Sequence, residues 1–159
     1  MRLNEAQNQL SLLLNNQKSM HLATIDNSGN PHASTTPFTA FDSKFYIFIS
    51  ELSQHCKNLL AGSKLSILMV TDESQSEQIF ARNRANWNVS YNRLDKKTDY
   101  YQQSLERMAD KLGPTIQMLA NLQDFHLFEL IPKNGRLIIG FGKAFNLNGL
   151  TIDTTPIGS

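Results

Sequence analysis

The stretch that decides the fold is Met20-His21-Leu22-Ala23-Thr24-Ile25-Asp26-Asn27-Ser28-Gly29-Asn30-Pro31-His32-Ala33-Ser34-Thr35-Thr36-Pro37-Phe38. Met20, Leu22, Thr24 and Asp26 alternate with His21, Ala23 and Ile25, which is the period of a strand. Asn27-Ser28-Gly29-Asn30 then supplies residues that tolerate the positive φ of a hairpin turn. A second strand runs from His32 to about Phe38. Two strands joined by so short a turn are antiparallel, and the rest of the chain extends that arrangement.

Upstream, Leu3, Ala6, Leu10, Leu13 and Leu14 recur at helical spacing, predicting an amphipathic helix over 3–17. Downstream, Asp42-Ser43 breaks the pattern and a third strand follows from Lys44 to Ser50, rich in aromatic and β-branched residues. Ser53 caps a short helix to Ala61, with Gly62 just past its end. Lys64 to Val70 reads as a buried strand, Thr71 to Glu77 as a polar, solvated loop, and Ile79 to Leu94 as one long strand. Thr98 caps a helix in which Tyr101, Leu105, Met108 and Leu112 share a face. Gly113-Pro114 stops it, and a short helix follows to Leu122. Phe125 to Ile131 and Arg136 to Leu147 are the last two strands, joined by Pro132-Lys133-Asn134-Gly135. The expected fold is α+β: a mainly antiparallel split β-barrel of about seven strands, with an N-terminal helix and short peripheral helices. The chain reads as a single domain over 1–159, its N-terminal helix within 1–17 and a C-terminal tail over 148–159.

Composition narrows the function. The chain has 159 residues, enough for one ordinary domain. It carries 15 Lys+Arg against 14 Asp+Glu, a formal charge of +1, and is 18% charged. The 15 Asn and 10 Gln do much of the surface work that charges usually do. So balanced a charge argues against a protein that grips nucleic acid by its phosphates. Cys56 is the single cysteine, so there is no internal disulfide and no cysteine-rich metal site, which points to a reducing, cytoplasmic setting. The longest apolar run, Phe45 to Ile49, falls far short of a membrane span, and Met1 to Glu5 lacks a signal-peptide core.

Two segments carry candidate chemistry. In Arg82-Asn83-Arg84-Ala85-Asn86-Trp87-Asn88-Val89-Ser90, strand alternation places Arg82 and Arg84 on one polar face with Asn86, Asn88 and Ser90. Such a pair suits carboxylates or phosphates, or is a plain solvent-facing strand. In Ser50-Glu51-Leu52-Ser53-Gln54-His55-Cys56-Lys57-Asn58, a strand ends and a helix begins. Ser50, Ser53, His55, Lys57 and Asn58 would add side-chain donors to the helix start; plain capping explains the same pattern. The four histidines, His21, His32, His55 and His126, show no metal-ligand spacing. Cys56 has no adjacent base. Gly140-Phe141-Gly142 reads as lying inside a strand, where glycines allow close approach of a flat ligand or a bulge.

Taken in order, these residues resemble a family. His21 to Asp26, Gly29 to Ser34 and Pro37-Phe38 are similar to the opening of FMN-binding split barrels, the pyridoxamine phosphate oxidase superfamily. Ser50-Glu51-Leu52 with His55 and Asn58-Leu59, Ile79 to Arg84, Asp124 to Phe128, and Gly135 to Ala144 resemble its haem-utilisation (HugZ/HutZ-type) branch. The resemblance implies a homodimer of split barrels holding haem or FMN in a cleft between subunits. It implies ligand-binding roles for Ser34, Thr36, Ser50, Ser53, His55, Lys57, Asn58, Arg82 and Arg84, and catalytic roles for Arg84 and Asp124. It also implies haem binding in iron acquisition, with oxidative degradation driven by an electron donor as the further step. FMN-dependent oxidoreduction and non-catalytic storage are the alternatives. In flavin-binding relatives the phosphate segment reads Ser-Arg-Lys, where this chain has Ser53-Gln54-His55. The family's iron-ligating histidine lies in a C-terminal tail, and residues 151–159 contain none. No metal ligand is assigned by the resemblance.

Overall fold

The computed structural model describes residues 2–157. Helix α1 (Arg2–Asn16) leads into β1 (Ser19–Ile25) and β2 (Pro31–Pro37), the expected hairpin. Asp26 shapes its turn: the carboxylate accepts from the backbone N–H of Ser28 and Asn30, and Gly29 takes φ +81°. Then come β3 (Thr39–Phe41), β4 (Lys44–Ser50), α2 (Gln54–Leu60), β5 (Leu65–Val70), β6 (Arg84–Arg93), α3 (Asp99–Leu112), α4 (Thr115–Ala120), β7 (Phe125–Ile138), β8 (Ala144–Asn148) and β9 (Thr151–Ile157).

Seven strands follow the path β2-β1-β5-β6-β7-β4-β3, every neighbouring pair antiparallel, while β8 joins β7 and β9 joins β8. The sheet curls into a half-barrel. Its core runs from Met20 and Leu22 on β1 through Phe45, Ile47 and Ile49 on β4 to Trp87 on β6 and Phe128 and Leu130 on β7. Ala6, Leu10 and Leu13 of α1 join the same cluster. A second cluster lies outside the barrel, where Tyr46, Phe48 and Leu127 pack against Tyr101, Leu105 and Met108 of α3 and Ile116 of α4. Strand β4 is therefore buried on both faces, which is why Phe45 to Ile49 reads as an unbroken apolar run rather than an alternating one.

Four local expectations are corrected. Residues 79–83 are not strand: Ile79–Ala81 is a 3-10 turn, with the Gln78 side chain accepting from the Phe80 N–H, and β6 begins at Arg84. Pro132-Lys133-Asn134-Gly135 is not a turn but the middle of β7. A register shift between Trp87 and Val89 accommodates Pro132, which has no N–H to give the ladder. Gly140-Phe141-Gly142 forms the turn between β7 and β8, with Gly140 at φ +144° and Gly142 at φ +67°. Within the 148–159 tail, residues 151–157 form β9 against β8. Gly158 and Ser159 lie outside the described residues.

Candidate ligand cavity

The hairpin fixes one wall of the site. Met20, Leu22 and Thr24 point into the barrel, so His21, Ala23 and Ile25 face outward. Register carries that face across the sheet: His21 pairs with Leu68, Leu68 with Asn86, and Val70 with Arg84. Paired residues share a face, so His21, Leu68, Val70 and Arg84 stand on one outer surface.

The 3-10 turn borders this surface. Together they form an open groove of about 580 Å³ lined by His21, Leu68, Val70, Ile79, Phe80, Arg82 and Arg84. Phe80 is 82% exposed and Ile79 52%, an unusual display of apolar surface beside two cations. Arg82 and Arg84 thus meet at one cavity, though not as neighbours on one strand face, because Arg82 lies in the segment before β6. The Arg82 Nε donates to the Thr71 carbonyl, and a terminal nitrogen lies 3.7 Å from the exposed Glu73 carboxylate. Arg84 donates from Nη1 to the Arg82 carbonyl at 2.8 Å. One such bond fixes a guanidinium that has five donors, leaving others for an anion. Arg82 also borders a second cavity of about 450 Å³, lined by polar residues such as Gln9, Gln75, Glu77 and Asn83, with no apolar wall for a ring.

The residues around α2 form a different kind of place. Ser53 caps the helix, its Oγ accepting from Cys56 N–H and donating to the Ser50 carbonyl at 2.7 Å. His55 Nδ1 is 2.8 Å from Ser34 Oγ. Burial, and then the nearby His32, hold the His55 imidazole below its ordinary value, so it stays neutral. Asn58 donates to Thr24 Oγ1 at 2.9 Å and accepts from Gln54 at 2.7 Å. Thr36 is buried and donates to the Pro37 carbonyl. Ser50 Oγ donates to Asp124, whose own carbonyl accepts from the Glu51 N–H. Burial pushes the Cys56 thiol up to about 11, so it is an inert core group. Of the donors expected to meet a phosphate here, Lys57 is exposed on α2 while the others are engaged within the chain.

The two groups lie far apart in one chain. Arg84 opens β6 and Arg93, which pairs with Phe128, ends it, roughly 30 Å of strand away. Asp124 precedes Phe125 at that far end, so Arg84 and Asp124 do not share a site within a single chain. Two features escaped the sequence reading. His126 Nε2 bonds the Glu51 carboxylate, and no local pattern links residues so distant in the chain. His21 lines the cavity, and its place opposite the apolar positions of β1 was the available signal.

The pyridoxamine 5'-phosphate oxidase family model matches residues 6–138. The chain is 33% identical over 133 residues to a protein of Vibrio cholerae serotype O1 described as heme oxygenase HutZ, covering 84% of this chain and 76% of that one. Among solved structures it is similar to Campylobacter jejuni ChuZ, with a TM-score of 0.86 and 26% identity. That match covers 98% of this chain but only 65% of ChuZ. It is also similar to HutZ described as the heme storage protein from Vibrio cholerae, with a TM-score of 0.74 and 30% identity over 87% of this chain and 92% of that one. By fold, family match and identity, the chain belongs to the pyridoxamine 5'-phosphate oxidase family, in its haem-utilisation branch.

Proposed function

We propose that the chain is a haem-binding protein of iron acquisition, holding haem at the cavity lined by Arg82, Arg84, Leu68, Val70, Ile79 and Phe80. One observation carries the reading: exposed apolar side chains stand beside two arginines fixed by backbone carbonyls. Haem is a flat apolar macrocycle with two carboxylates at one edge. An apolar wall removes the ring from water, and arginine forks pair with carboxylates. The names of the relatives, which speak of heme, support the same ligand.

FMN has weaker support. Its phosphate would need donors at the start of α2, and Ser50, Ser53, His55 and Asn58 are spent on bonds within the chain.

A homodimer follows from the same reading. The cavity is open, with Phe80 and Ile79 exposed at its rim, and a second copy would cover them. Pairing is also the arrangement in which Arg84 of one subunit and the partner subunit's Asp124 could serve one ligand, Asp124 orienting an iron ligand or a water. Whether bound haem is degraded or only stored divides the two descriptions of HutZ itself, oxygenase and storage protein. Oxidative cleavage of the macrocycle consumes reducing equivalents, so the degrading reading requires an electron donor. The test is to titrate purified protein with haem and with FMN separately. A Soret shift with haem and no quenching of FMN fluorescence is expected; the reverse pattern contradicts the proposal. Adding a reductant to the haem complex in air then separates degradation, which bleaches the Soret band, from storage, which preserves it.

A further inference from the structure

We infer that His21 supplies the iron ligand for haem held at this cavity, an assignment that rests on the haem-binding reading above. Three observations converge on it.

The first is placement. His21 stands on the outer face of β1, beside Leu68 and on the same surface as Val70 and Arg84. It is two strand spacings across the sheet from Arg84, about 10 Å, and one pleat repeat along it, about 7 Å, so their backbones are roughly 12 Å apart. Haem carries its metal at the centre and its carboxylates at one edge. A ligand at His21 and cations at Arg82 and Arg84 match that division, since the arginine side chains extend from the far side of the cavity. Leu68, Val70, Ile79 and Phe80 supply the apolar contact between them.

The second is availability. Among the described residues, the His21 imidazole makes no hydrogen bond or ion pair. His55 is committed to Ser34 and His126 to Glu51. His32 does not line the cavity; its neighbour in charge is His55. Of the four histidines, His21 alone is both at the cavity and free in this way.

The third is chemistry. Neutral imidazole nitrogen is a common axial ligand of haem iron. Among the described residues, no group of three or more histidine, cysteine, aspartate or glutamate side chains could hold a bare ion. A single imidazole suffices only when the other ligands arrive with the metal, as they do in a macrocycle.

The experiment compares the absorption spectra and haem affinities of the parent chain, His21→Ala, His21→Gln and His32→Ala, with far-UV circular dichroism to verify the fold of each. Loss of partners around a metal ligand already costs roughly 10–100-fold in affinity. Losing the ligand itself is therefore expected to weaken haem binding by at least roughly tenfold. His21→Ala and His21→Gln should both shift the Soret and visible bands, and added imidazole should restore the parent's bands to His21→Ala. His32→Ala should leave the spectrum unchanged. Parent-like bands and affinity in both folded His21 variants overturn the inference while leaving the haem reading standing. So does a loss that imidazole does not repair, or a His32→Ala spectrum that changes as His21→Ala does. A parent chain that binds no haem overturns the haem reading, and this inference with it.

Discussion

Arg82 and Arg84 differ in how they are held, and the difference predicts their separate contributions. Arg82 spends its Nε on the Thr71 carbonyl and faces Glu73, whereas Arg84 gives one nitrogen to the Arg82 carbonyl. An arriving carboxylate must compete with Glu73 at Arg82 but meets no such rival at Arg84. Charge-assisted hydrogen bonds contribute about 1.5–3 kcal/mol each. Arg84→Ala should therefore weaken haem binding by roughly tenfold or more, and Arg82→Ala by less; equal losses in a titration would contradict this ranking. His55 makes a second residue-level prediction. Its folded value is held below the ordinary 6.5 by burial, so the unfolded chain binds the proton more readily. Stability is then full above that ordinary value and declines as pH falls through it toward the folded value. The melting midpoint should fall as pH drops below the ordinary value of 6.5, and His55→Gln should flatten that slope. A slope identical in both proteins would remove His55 as its cause. Both arginines were legible in the sequence as two donors on one strand face, but Arg82 lies before β6 begins, so only Arg84 stands on that face. Asn83 bonds Gln9 of α1, and its carbonyl accepts from Thr71, so contacts distant in the chain set the backbone there rather than local alternation. For His21 the alternation of β1 marked only an outward-facing side chain, and what it faces depends on the strands paired across the sheet.

At the scale of elements, the signals that held are those with a local cause. Ser53 and Thr98 cap their helices as expected, and Gly113, at φ +90°, ends α3. These positions announce themselves because the side chain or backbone that stops the helix is next to it in sequence. Pro132 to Gly135 misled for the opposite reason. Their composition is that of a turn, but Gly135 is required by packing: it pairs opposite Trp87, whose indole N–H donates to the Gly149 carbonyl. A Cβ at Gly135 would stand 2.1 Å from the Asn86 carbonyl oxygen and 2.8 Å from the Trp87 ring. The ladder between β6 and β7 would have to open to admit it. Gly135→Ala should therefore destabilise by at least the usual 1–3 kcal/mol of overpacking. Denaturant unfolding checks this directly, and an unchanged midpoint would mean that β6 and β7 do not approach as described.

The whole molecule places its apolar surplus in two ways. The outer face of β4 is covered by α3 and α4, which build the second core around Tyr46 and Phe48. Among the described residues, no helix covers the outer face of β1, β5 and β6 in this way, and Phe80 and Ile79 project at its edge. The split barrel itself was legible from its hairpins and buried runs. The uncovered face was not, because no sequence period distinguishes a face covered by a helix from one awaiting a ligand or a second copy. Light scattering should give twice the 18.0 kDa of one chain, and a purely monomeric species would leave the paired site without its second half. Titrating the purified protein with haem and recording its visible spectrum shows whether this face with its two arginines takes haem. A saturable Soret shift at micromolar haem, weakened by Arg84→Ala, is expected. A spectrum identical to that of haem free in buffer would contradict it.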